Sequence, residues 1–183
     1  MKAKGKGPRN ERRLSRALSL LISEGEREDL LWRSAMSGGR ATVQRKRGVT
    51  NLTQGGDISA IAADSSWLTE EWFIEAKHYK DLEIVSSFIK NKGTLARFWS
   101  KCISEAESYN KRPMLIAKQN RIPELLIVKR GQRLNGSAIP PITLRAWNAD
   151  VYLFSDIERL TASKRARIVI DEGRPPRVIL EED

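Results

Sequence analysis

The chain is poor in the residues that staple, softly ligate metals or cross membranes. Its one cysteine in 183 residues is Cys102. That excludes an internal disulfide and a thiolate metal cluster, and Cys102 reads as a small buried hydrophobe in a helix. Histidine also occurs once, at His78. No apolar run approaches the roughly 20 residues that span a bilayer. Met1 to Arg13 is basic and polar, with no apolar run behind a positive start, so no secretory leader is expected and an intracellular, cytoplasmic location is the default. Hydrophobic residues make up 40% of the chain, somewhat low but adequate for a core. The length suits one domain with a terminal extension or two.

Positive charge is what the chain has in excess. Lysine and arginine number 33 against 23 acidic residues, a formal balance of +10. Such a surface concentrates polyanions and makes their binding salt-sensitive. It favours nucleic acid as a partner but names no chemistry, and a basic, otherwise ordinary protein fits it too.

Met1 to Pro8 reads as a flexible basic arm, residues 9–163 as the folded domain, and 164–183 as a loosely held tail that starts basic and ends in Glu181, Glu182 and Asp183. A helix is expected from about Pro8–Asn10 to Ser23, with Asn10 as a cap and Leu14, Leu18, Leu21 and Ile22 as its buried stripe. Leu30 to Ala35 reads as a strand, followed by a long polar stretch, Met36 to Gly56, rich in glycine and cations. Asp57–Ala62 and Trp72–Tyr79 are the next strands, with 63–71 between them read as a loop. Glu83–Asn110 reads as helix with a break at Gly93–Thr94. Met114–Lys118, Leu125–Val128 and Val151–Phe154 are further strands, and Ser155–Ala162 a last helix. This order implies an α/β architecture with a mixed central sheet flanked by helices.

Asp57 after Gly55 and Gly56 could be no more than a turn residue. Glu75 and Lys77 alternate onto one face of their strand, with Cα atoms roughly 6.6 Å apart. On their own they could be a surface ion pair of little worth. Together the three mean more. If the two strands are neighbours, Asp57 lies beside Glu75 and Lys77. Two carboxylates so placed repel unless a proton or cation joins them. Hard oxygen ligands suit Mg²⁺, and a lysine within reach can stabilise charge developing at phosphorus. Glu11 lies three, seven and eleven residues before Leu14, Leu18 and Ile22, in line with the buried stripe. A carboxylate there needs a partner, unless the helix frays and leaves it in solvent.

The order Glu11, Gly56-Asp57-Ile58, Ile74-Glu75-Ala76-Lys77 resembles the PD-(D/E)XK nuclease superfamily, and within it the archaeal-type Holliday junction resolvases and their phage relatives. Gly7 to Glu11 resembles that family's first-helix motif, Trp32 to Gly38 its strand-to-loop motif, and Pro113 to Lys118 the strand after its long helix. The resemblance covers roughly residues 5 to 130. Gly56 stands where the superfamily's name has proline, the stretch from Ser37 to Asp57 is long for a minimal resolvase, and residues beyond about 130 have no counterpart. The resemblance implies a restriction-endonuclease-like fold. It also implies Mg²⁺-dependent phosphodiester hydrolysis, with Mn²⁺ as a substitute, leaving a 5′-phosphate and a 3′-hydroxyl. Asp57, Glu75 and the Ala76 carbonyl would hold the metal, and Glu11 would bind it directly or through water. Lys77 would orient and activate the attacking water. Ser34 would position the scissile phosphate, or is an ordinary polar residue at a strand end. Branched DNA is the implied substrate, a homodimer the implied assembly, and a phage-encoded protein acting in its bacterial host one source.

Arg33, Arg40, Arg45, Lys46 and Arg47 are expected to line a DNA path, giving affinity without base sequence. Lys118 reads as the exit of a strand more than a backbone contact. Tyr79 shares the Lys77 face and could touch DNA. His78 points to the other face and is given no catalytic role. Val151, Leu153 and Phe154 would serve either an interface or the core. Two other functions compete: a restriction-like or nicking nuclease on ordinary duplex, and a non-catalytic nucleic-acid-binding protein on a nuclease scaffold. The intact acid set argues against the second.

Overall fold

The computed structural model describes residues 6–34, 55–132, 140–162, 166–169 and 177–180. Helix α1 (Lys6–Ile22) starts earlier than its capping pattern suggests. Pro8 falls in its first turn, where a missing N–H costs nothing, and Asn10 is a buried helical residue, not the cap. Leu14 and Leu18 are buried as expected. Beside them Ser19 Oγ accepts the backbone N–H of Leu31 at 2.9 Å. That bond fixes the start of strand β1 (Leu31–Arg33) against the helix.

β1 pairs antiparallel with β2 (Ile58–Ala60), Arg33 opposite Ile58. Residues 63–71, expected to be a loop, form instead a 3₁₀ turn and helix α2 (Ser66–Glu71). Leu68 of this helix enters the core. Strand β3 (Trp72–Tyr79) has the expected bounds. The expected long helix divides into α3 (Ile84–Lys90) and α4 (Thr94–Ser108). Gly93, between them, has φ +130°, and a Cβ there would come within 2.6 Å of Ser87 Oγ. The Glu83 carboxylate accepts the Thr94 backbone N–H at 2.9 Å and so ties the two helices at the break.

β3 pairs parallel with β4 (Arg112–Gln119), which pairs antiparallel with β5 (Leu125–Lys129). β7 (Ala149–Leu153) follows β5, and the short β6 (Ile142–Leu144), absent from the sequence reading, closes the edge. The mixed sheet therefore runs β3-β4-β5-β7-β6. Helix α5 (Phe154–Ala162) follows β7. Beyond it β8 (Ala166–Val169) pairs antiparallel with β9 (Arg177–Leu180), within the segment expected from sequence to be a loosely held tail.

Two apolar clusters sandwich the sheet. Leu14, Leu18, Ile74, Ala76, Ile116, Leu126 and Phe154 pack on the α1 side. Phe73, Leu95, Trp99, Cys102, Leu115, Ile127 and Val151 pack on the α4 side. This is the mixed sheet flanked by helices that the sequence implies. Val151 and Phe154 are core residues, so neither is free to build an interface, while Leu153 is exposed. Among the described residues no helix is long and apolar enough to cross a membrane.

Candidate active site

Among the described residues β2 and β3 do not share a ladder: there β2 pairs with β1 alone. The link is made instead by Asp57, just before β2. Its backbone N–H donates to the Ile74 carbonyl at 2.7 Å, and its own carbonyl accepts from Ser34 N–H at 2.8 Å. Its carboxylate Oδ2 accepts the Ala76 N–H at 2.9 Å. Asp57 is thus pinned between the end of β1 and the middle of β3, as the juxtaposition inferred from sequence requires, but through single bonds.

Gly56 makes that approach possible. Its φ is +95°, and a Cβ there would sit 2.6 Å from the Ile74 carbonyl oxygen. Only glycine enters this region without strain. Proline, fixed near −65°, could not adopt it. The departure from the superfamily's proline is therefore a local requirement of this chain.

Glu75 and Lys77 share the α4 face of β3 and are largely buried. Lys77 Nζ forms a close ion pair with Glu75 Oε1 and lies 3.5 Å from Asp57 Oδ2 and 3.4 Å from the Ala76 carbonyl oxygen. Burial pushes the Glu75 carboxyl up to about 7, aided by the charge of Asp57 and opposed by Lys77. Burial works to lower the Lys77 pKa, but Asp57 and Glu75 together hold it above the ordinary lysine value. Lys77 is therefore an ammonium at neutral pH. Its Nζ lies 5.8 Å from the centre of the Phe98 ring, which packs at 5.4 Å against Tyr79. Phe98 belongs to the apolar face of α4 read from sequence, but its place beside Lys77 depends on packing between distant elements.

Glu11 does not join this cluster. Its Oε2 accepts from Arg33 Nε at 2.9 Å, which supplies the partner its position demands. Among the described residues no group of three or more His, Cys, Asp or Glu gathers closely enough to hold a metal ion. Arg33, expected on a DNA path, is engaged with Glu11, and Ser34 is buried against Asp57. Arg40, Arg45, Lys46 and Arg47 lie outside the described residues. Tyr79 is about half exposed on the Lys77 side. His78 faces away and contacts Asn120 Oδ1 at 3.3 Å, while Lys118 donates to the Ile122 carbonyl.

A mixed sheet between helices, with an acid pinned to a strand that carries Glu75-Ala76-Lys77, defines a nuclease of the PD-(D/E)XK superfamily. A family model described as "Phage putative PDDEXK endonuclease" matches residues 2–143, and the chain belongs to that phage-associated endonuclease family. No curated protein and no solved structure matches the chain.

Proposed function

We propose that the chain is a Mg²⁺-dependent endodeoxyribonuclease that hydrolyses phosphodiester bonds in branched DNA, leaving 5′-phosphate and 3′-hydroxyl ends. The observation that carries this is the buried set of Asp57, Glu75 and Lys77 around the Ala76 peptide. Two carboxylates and a peptide oxygen form a hard donor set. Glu75, pushed up to about 7, is a carboxyl whose charge a divalent cation would favour. Asp57, Glu75 and the Ala76 carbonyl would hold the metal, and Glu11, now paired with Arg33, would act through water. Bound there, the metal supplies Lewis-acid neutralisation of the charge that develops on the phosphate.

The rest falls to the chain's own groups. Lys77, kept protonated by its carboxylate neighbours, donates hydrogen bonds that orient the attacking water and stabilise negative charge. The Ala76 N–H and Lys77 hold the Asp57 carboxylate in one orientation. Ser34, held against Asp57, positions the scissile phosphate. The basic loop residues Arg40, Arg45, Lys46 and Arg47 contribute contacts to the backbone. The choice of branched DNA rests on the likeness of Gly7 to Glu11, Trp32 to Gly38 and Pro113 to Lys118 to the motifs of junction resolvases. A junction needs two symmetric cuts, so the active form is a homodimer with twofold symmetry.

Cleavage of a four-way junction, a flap, a plain duplex and a single strand, each with Mg²⁺ or EDTA, tests the reading, alongside light scattering of the free and junction-bound chain. Preference for the junction, loss of cutting in EDTA and a dimer are expected. Equal cutting of plain duplex by a strict monomer would replace the resolvase with a nicking enzyme.

A further inference from the structure

The active-site reading leaves four cations on α1 without a role. Arg9 is followed by Arg12 and Arg13 at three and four residues, and both precede Arg16 at four and three, the spacings that put side chains on one face of a helix. All four are exposed. They lie on the side opposite Leu14, Leu18 and Glu11, facing away from the core. With Ala17, Leu20 and Glu158 they line a groove of about 520 Å³ between α1 and α5. Arg13 is already engaged there, in a close ion pair with the buried Glu124 and at 3.8 Å from Glu158. Among the described residues no carboxylate forms an ion pair with Arg9, Arg12 or Arg16. Three like charges kept together on one helix face repel one another, and a polyanion in the groove would relieve that repulsion.

We propose that this outer face of α1 is a second nucleic-acid-binding surface, which grips the phosphate backbone of a duplex arm away from the catalytic residues. It rests on the nuclease reading only for the choice of nucleic acid over other polyanions. From Arg9 to Arg16 the helix rises roughly 10 Å. Over that length one DNA strand presents about three phosphates, one for each unpaired arginine. Arginine suits the role because its planar fork takes phosphate oxygens in pairs. Glu158, at the rim, disfavours a strand laid deeper toward α5. The contact carries affinity and orientation without sequence.

Binding of a short fluorescein-labelled duplex to the full chain, followed by anisotropy in EDTA across a salt series, tests this. In the variant carrying Arg9→Gln, Arg12→Gln and Arg16→Gln, with Arg13 kept, the slope of log affinity against log salt is expected to fall by about 0.9 per lost contact, up to roughly 2.7. The corresponding triple lysine variant should retain most of the slope. Should the glutamine variant lose its helical circular dichroism, Arg12→Gln and Arg16→Gln taken singly carry the same reading at about 0.9 each. An unchanged slope in folded variants overturns the surface. Cleavage by the unaltered chain with Mg²⁺ is measured in parallel. A shifted slope without cleavage would remove the proposed activity and leave the surface standing; normal cleavage with an unchanged slope would remove the surface alone.

Discussion

The charges of β3 and those on the outer face of α1 sit in opposite surroundings. The Lys77 side chain is 17% exposed and is held by two carboxylates and a peptide oxygen. Arg13, the most engaged of the α1 arginines, is 47% exposed, and its neighbours Arg9, Arg12 and Arg16 are exposed too. In the first place desolvation magnifies every charge, and removing one partner strands the others. In the second, water and salt dampen each interaction and geometry is loose. A buried, closely held set of charges suits specific chemistry, and an exposed helix face suits tunable affinity.

Breaking the buried set should have the largest effect. Asp57→Ala removes one acceptor of the Ala76 N–H and Lys77, and one proposed metal ligand. Single-turnover cleavage is expected to fall by about a thousandfold or more, roughly 4 kcal/mol of transition-state stabilisation. DNA binding should persist or tighten, because a carboxylate that repels phosphate is gone. Undiminished cutting by the purified variant would sink the assigned site.

The titration of Glu75 gives the next effect, read in EDTA by denaturation. Its folded pKa, about 7, lies above the ordinary 4.5. Between these values the folded chain holds a proton that the unfolded chain has released. Stability from this group is thus fully present below about 4.5 and declines as pH rises through 7. A shift of this size corresponds to up to roughly 3 kcal/mol. Glu75→Gln should flatten the decline; a variant that keeps the full slope would show that another group titrates.

Gly56→Ala comes third. The added Cβ would meet the Ile74 carbonyl at 2.6 Å on a backbone with φ +95°. A loss of about 1–3 kcal/mol is expected in urea unfolding, with weaker cleavage as Asp57 shifts. Wild-type stability in the alanine variant would show that this turn relaxes freely.

Legibility followed the range of the interactions. Trp72–Tyr79 was readable to the residue, because two-residue alternation places Glu75 and Lys77 together and Ile74 and Ala76 opposite. The break at Gly93 was also readable, since glycine marks it. The six residues of α2 contain too few turns to show periodicity, and a polar composition passed for a loop. β6 and the β8–β9 pair are three or four residues long and are defined by their partners. The site divides the same way. Asp57, Glu75 and Lys77 could be ordered from sequence, but the single bonds from Asp57 to Ile74 and Ala76 could not. The position of Glu11 calls for a partner; that the partner is Arg33, 22 residues away in sequence, is tertiary information. The arginine face of α1 was present in the spacing of residues 9, 12, 13 and 16, yet overall charge masked it, because composition does not say where charge gathers.

The smallest expected effect has the opposite sign and separates the two regions most directly. Arg9 lies in the first turn of α1, near the positive end of the helix dipole, where a cation is unfavourable. Arg12 and Arg13 follow it at three and four residues, so like charges face each other along the groove. Each such pair costs about 0.2–0.5 kcal/mol, and arginine and glutamine have nearly equal helix propensity. Arg9→Gln should therefore stabilise the chain by about 0.5 kcal/mol at low salt while it weakens binding. Near 1 M salt, where screening acts over roughly 3 Å, the gain should vanish. Urea unfolding at both salt concentrations, beside the binding series, reads the two changes together. A surface kept for binding accepts a small loss of stability, so stability and affinity should move in opposite directions. Destabilisation by Arg9→Gln would instead mean that Arg9 supports the fold, and its charge would then belong with the buried set.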